Sequence, residues 1–287
     1  MLRKLFRYDM KYTARLVLPL MLLTLGTTLL GSIAMKLLTN MGYTGGGDET
    51  MGRILLTIAL GLIVAGSIFI LVAFAVISSF IVFVRFYKNF FSDEGYLTHT
   101  LPVKSSTHMF SKTWSTLLWV IITLLAVVFF VFIYMLIGAA PHGSLFDTEV
   151  LRDIGSFFQT LGATMTPSRL LIGIETVLMI LTSIVFATFM IFTAITIGAV
   201  VAKKHKILAA IGFYYLINMV VSVVTVLLFF IVIFASSGNL MLAGSLFSHP
   251  EGVIHFSLLF FIVLYLALSA GGFALCNRLI KRRLNLA

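Results

Sequence analysis

The sequence predicts an all-α polytopic membrane protein: six transmembrane helices, an N-terminal amphipathic surface helix, and both termini in the cytoplasm. Three observations predict it. First, the 287 residues are 60% hydrophobic and only 10% charged, with mean hydropathy +1.12. A soluble domain is about 45–50% apolar and about 25% charged. A globule in water could not hide this much apolar surface, so lipid must be the solvent. Second, the apolar residues gather into runs that meet the roughly 20 residues needed to cross a core of about 30 Å. Third, the charges fall between those runs, and unequally on the two sides. A soluble enzyme, a secreted disulfide scaffold and a disordered tail are thereby excluded. The single cysteine, Cys276, allows no internal disulfide and no thiolate metal cluster.

The first element is the segment 1–14. At 100° per residue, Arg3, Lys4, Arg7, Lys11 and Arg15 share one arc, and Leu2, Leu5, Phe6 and Met10 lie largely on the rest. Such a helix suits an anionic inner surface. Asp9 interrupts its apolar side. The six spans follow at about 16–38, 54–84, 115–138, 170–202, 207–236 and 255–277. The first run is too long for a signal-peptide h-region of about 7–15 residues, so it is expected to remain as a span. The runs beginning at 54, 170 and 207 exceed the hydrocarbon thickness and must tilt, kink or project.

Between the spans, the outer loops cover about 39–53, 139–169 and 237–254, too short for a folded domain. Val150, Leu151, Ile154, Phe157, Phe158 and Leu161 mark a surface helix in the second. The third is apolar enough either to dip into the membrane or to collapse on its surface. With both termini inside, sixteen basic residues and three acids face the cytoplasm, against four and seven outside: +13 and −3. Basic residues on three inner segments and a tail set orientation. The net charge of +10 therefore requires no nucleic acid.

The inner segment 85–114 carries the most information. Ser92 is placed to cap a short helix starting at Asp93, and Pro102 ends it by Leu101. Phe90, Phe91, Tyr96, Leu97 and Leu101 would then form an apolar face that a solvated loop has no use for. That face either folds against the inner ends of the spans or docks on a soluble partner.

Here the chain resembles the ABC type-2 permease family of bacterial exporters. The matching residues are Arg85–Asn89, Asp93–Thr98, Thr100–Val103 and Ser111-Lys112, spread over a motif stretch of about 30 residues within a matching six-span layout. His99 and Thr107-His108-Met109 depart from the family's usual apolar or Gln/Leu-like residues. The resemblance implies one permease domain over 1–287, in the bacterial cytoplasmic membrane. It implies a coupling segment within Phe90–Leu101 that fits a groove on a separate cytoplasmic ATPase. Its residues here are Phe90, Phe91, Asp93, Glu94, Gly95, Tyr96, Leu97, Thr98, Leu101 and Pro102. It also implies a second permease copy or paralogue, forming a dimer, and ATP with Mg on the ATPase. This chain itself has no phosphate-binding loop, so it is expected to hold no cofactor and not to be an enzyme.

Other chemistry is sparse. The six histidines form no H-E-x-x-H, and no G-x-S-x-G occurs. Glu175 is the only acid in a span; it either binds a cation or proton, or pairs with Arg169 or loop groups. Asn218, within the fifth span, is expected to join helices by hydrogen bonding. Trp114 and Trp119 suit an interfacial belt. Two other function classes stay open: an ion-coupled transporter without an ATPase, and a non-transporting membrane immunity or sensor protein.

Overall fold

A computed structural model describes residues 2–43, 51–92, 105–138, 166–202, 204–238 and 250–283, with seven further residues between Arg152 and Ala163. Its long helices are α1 (Leu2–Tyr43), α2 (Met51–Phe91), α3 (Ser105–Gly138), α4 (Pro167–Val201), α5 (Lys206–Gly238) and α6 (Pro250–Arg283). Each contains a stretch long and apolar enough to cross a membrane, and no strand occurs among the described residues. Six helices suited to cross a membrane among the described residues mark the chain as a multi-pass membrane protein.

The burial pattern is that of a chain solvated by lipid. Among the described residues, as many polar as apolar side chains are buried. Thr24, Thr28, Ser78, Thr188 and Thr196 are 0–1% exposed, while Leu22, Leu62, Phe69, Leu208 and Phe234 are 68–76% exposed. In water this would be inside-out. In hydrocarbon, buried hydroxyls cost little, because each donates to a carbonyl one turn back in its own helix. Thr28 Oγ1 to the Thr24 carbonyl (2.7 Å) and Thr196 Oγ1 to the Phe192 carbonyl (2.7 Å) are examples.

The chain divides into two compact units. One comprises Arg7–Val82 and Leu118–Thr164. Its core is Val17, Phe74, Val82, Trp119, Ala126 and Phe130. Asp9, Thr13, Val17, Thr24, Thr28 and Ser32 are all buried on α1, and their spacing puts them on one face. Small residues on that face allow close approach: a Cβ on Gly31 would strike the Ser67 side chain and come within 3.2 Å of the Tyr134 ring. Arg53 Nη2 donates to the Met41 carbonyl at 2.8 Å, tying the start of α2 to the end of α1.

The other unit comprises Met1–Phe6, Phe83–Leu117 and Met165–Ala287. Here α4 packs along both α5 and α6. Thr166 caps α4 by accepting from the Arg169 amide at 3.4 Å, and Pro167 follows at a position where its missing N–H costs nothing. At the other end Ala202 leaves the helix with an extended backbone, and its N–H still reaches the Gly198 carbonyl. Gly198 is required there. A Cβ on it would lie 2.5 Å from the Ala210 nitrogen on α5, too close for any side chain.

Several expectations need correction. No break separates a surface helix over 1–14 from the first span, because α1 is continuous and runs through Pro19. Arg3, Lys4, Arg7, Lys11 and Arg15 are on its outer side. Met10 and Ala14 pack on the protein core instead of on lipid, and Asp9 is buried. The second span runs to Phe91, seven residues beyond the apolar run, because aromatic packing continues past the last purely apolar turn. Trp119 is 4% exposed and belongs to the core, whereas Trp114 is exposed as a belt residue would be. In the second outer loop, Arg152, Gly155, Ser156, Gln159 and Thr160 are helical and exposed. The apolar residues expected on the other face of that segment lie outside the described residues, as do 239–249.

Candidate functional site

The expected coupling segment begins on the last turn of α2. Phe90 is 0% exposed, and Phe91 is packed beside it. Together with Phe86 they join a cluster with Met109 of α3, Phe189 and Phe192 of α4, and Cys276 and Ile280 of α6. Phe86 stacks flat on Phe192, with ring centroids 3.7 Å apart and planes at 8°. Phe83 and Phe189 meet Phe192 edge-on at 6.3 Å. Phe90 and Phe91 were expected just before a short helix starting at Asp93, on an apolar face that either folds against the spans or docks on a partner; these two residues fold against the spans. They lie on α2, because a helical repeat already carries Phe83, Phe86 and Phe90 to one side. Asp93, Glu94, Gly95, Tyr96, Leu97, Thr98, Leu101 and Pro102 lie outside the described residues.

Two of the positions that depart from the family pattern are buried. His108 is 1% exposed and Met109 is 0% exposed. Met109 fills the aromatic cluster, a role that suits an unbranched, polarisable side chain. Cys276 sits in the same cluster. Its Sγ is 3.4 Å from Thr193 Oγ1 and 3.7 Å from Thr196 Oγ1, so two α4 hydroxyls hold the thiol.

At the opposite end of α4 and α6 lies a polar pair. Glu175 Oε2 is 2.7 Å from His255 Nδ1. The carboxylate side chain is 9% exposed and the imidazole 24%. Above it Ser168 Oγ donates to Glu251 Oε2 at 2.5 Å. Thus α4 and α6 carry two polar contacts, with Glu251 and His255 one turn apart on α6. Sequence reasoning singled out Glu175 but not His255. Nothing in a window around either residue links positions 80 apart. An intramembrane carboxylate calls for a cationic or donor partner, and that was the available signal.

Asn218 was expected to hydrogen-bond across helices. It makes no hydrogen bond among the described residues and is exposed, on the wall of a groove. No group of three or more His, Cys, Asp or Glu suited to a metal ion occurs among the described residues. No protein-family model, no curated protein and no solved structure matches this chain.

Proposed function

We propose that this chain is the membrane-spanning permease subunit of an ATP-binding cassette exporter. In this reading it forms the translocation path in a bacterial cytoplasmic membrane, with both termini inside. A separate cytoplasmic ATPase binds ATP and Mg, and a second permease copy or paralogue completes a dimer. The observation that carries the reading is the Arg85–Trp114 segment. Its family-like motif starts on α2, where Phe86 and Phe90 are locked against α4 and α6. A close-packed aromatic cluster transmits displacement instead of absorbing it. A push on residues 93–104 would therefore reach helices of the path directly. Nucleotide would bias a two-state equilibrium by binding one arrangement more tightly.

The test is gentle detergent purification from the native host. We expect a stoichiometric nucleotide-binding protein to accompany the wild-type chain. Leu97→Asp should remove that protein and abolish transport while membrane insertion continues. A full complement of ATPase on the Leu97→Asp variant would refute the coupling assignment.

The Glu175–His255 pair favours a second reading, an ion-coupled transporter. Two titratable groups within the membrane-spanning region are what proton coupling requires. Reconstituted without any ATPase, such a transporter would run on an imposed proton gradient. Glu175→Gln would then stop gradient-driven flux, whereas an ATP-driven exporter would show no such flux to lose.

A further inference from the structure

Midway along α5 the surface changes character. The apolar run of this helix continues to about residue 236, and Asn218 lies within its middle third. Ser222 and Thr225 follow at four and seven residues, so the three polar side chains share one face. That face lines a groove of about 350 Å³. Phe186 of α4 and Phe261 and Tyr265 of α6 line it as well. Phe186 stacks on Tyr265 (4.9 Å, 11°), and Phe261 stacks on Phe229 of α5 (5.8 Å, 21°). Phe261 and Tyr265 are themselves in contact at 5.8 Å. One side of the groove is thus a continuous aromatic ladder, and the other is a polar stripe.

The stripe is only partly satisfied. Ser222 Oγ donates to the Met219 carbonyl at 2.9 Å. The Asn218 amide, the Thr225 hydroxyl and the Tyr265 hydroxyl make no hydrogen bond among the described residues. Many of the described threonines bond back to their own helix, as Thr188 does to the Ile184 carbonyl at 2.8 Å. Within hydrocarbon, neither water nor headgroups can substitute. An amide left without a partner in hydrocarbon costs roughly 2–7 kcal/mol. Whatever fills the groove must therefore bring hydrogen-bonding groups, and must also suit flat aromatic walls. Ligand pockets combine these same features: mostly apolar and aromatic walls, a few convergent polar groups, and a volume of roughly 300–1,000 Å³.

We propose that the α4–α5–α6 groove binds a planar, membrane-dissolved molecule carrying a hydroxyl or carbonyl group. The flat body lies along Phe186, Tyr265 and Phe261. Its polar group exchanges hydrogen bonds with Asn218, Thr225 and Tyr265. A second copy of α5 fits less well. A helix laid on α5 would meet its outer crest, whereas the polar atoms line a slot bounded by the chain's own α4 and α6. The site belongs to the single chain and does not depend on an ATPase partner.

The test uses the purified full-length chain in nanodiscs with a diazirine derivative of 2-naphthol. Labelled peptides are located by mass spectrometry. We expect saturable labelling on α5 and α6, at one probe per chain, competed by unlabelled 2-naphthol. The double variant Asn218→Leu/Thr225→Val should weaken binding at least tenfold. Both changes put apolar groups on an open surface, so folding survives them. Ser222→Trp, which fills the slot, should abolish specific labelling. Labelling that rises with probe without saturating, or that ignores all three substitutions, would overturn the site. So would native mass spectrometry in which Asn218→Leu splits an oligomer while labelling is unchanged, since the stripe would then serve a second copy.

Discussion

Helices α4 and α5 have nearly the same mean hydropathy over their apolar stretches, 2.4 and 2.3. Their fates differ. In its most apolar 18-residue window α4 has 44% of its residues buried, and α5 has none. The difference lies in the small and hydroxyl residues. Thr188, Thr193, Ala194, Thr196 and Gly198 are buried on α4, between two neighbouring helices. On α5 the most apolar turns hold Val223, Val224, Leu227 and Leu228, which stay exposed. Hydropathy therefore reports that a helix belongs in lipid, but not how much of it protein covers. In lipid, burial follows from close approach and hydrogen bonding, since hydrocarbon is as apolar as leucine.

The comparison can be broken at its seams. The largest effect is expected at Gly198, where α4 touches the α5 backbone. Gly198→Val should cost about 3 kcal/mol, the upper end for overpacking, because a backbone neighbour cannot rotate away. Thermal unfolding in detergent measures it; a loss below about 0.5 kcal/mol would mean that the seam yields freely. Next comes the α4–α6 pair. His255→Ala should cost about 2 kcal/mol, less than the roughly 3–5 for breaking a fully buried pair, since the imidazole is partly exposed. A double-mutant cycle with Glu175→Gln isolates the coupling, and additive single effects would remove the pair from the account. The smallest effect sharpens the contrast most. Thr193→Val on α4 should cost about 1 kcal/mol, because its hydroxyl bonds the Phe189 carbonyl (2.7 Å) and contacts Cys276. The identical change at Thr225 on α5 should cost nothing. Equal losses at both positions would mean that burial does not separate the two helices.

The six spans were legible because length and hydropathy are local properties. Which face of each helix turns inward was not. Helices that are apolar nearly all round carry little periodicity to read. Phe90 illustrates the gap. Beside Arg85 and Lys88 it reads as part of an inner apolar face that either folds against the spans or docks on a partner, and the stacking of Phe86 on Phe192 draws this turn into the core. His255 and Glu175 are 80 residues apart, so their meeting depends on tertiary packing alone. Asn218 was recognisable as an anomaly in its span. Only the fold places it beside Phe186 and Tyr265, facing open space in place of a helix.

The chain's one thiol has a practical consequence. Cys276 is 0% exposed and held between two threonines. Alkylating reagents added to the intact protein should pass it by, so the natural sequence already behaves as a cysteine-free background. A reporter cysteine placed at Lys4 or at Met51, both exposed, would react alone. Reagents that cross the membrane and reagents that do not would then tell which side each site occupies. The same silence allows spin or fluorescent labels on α5 to follow motion at the groove, with no native residue to remove first.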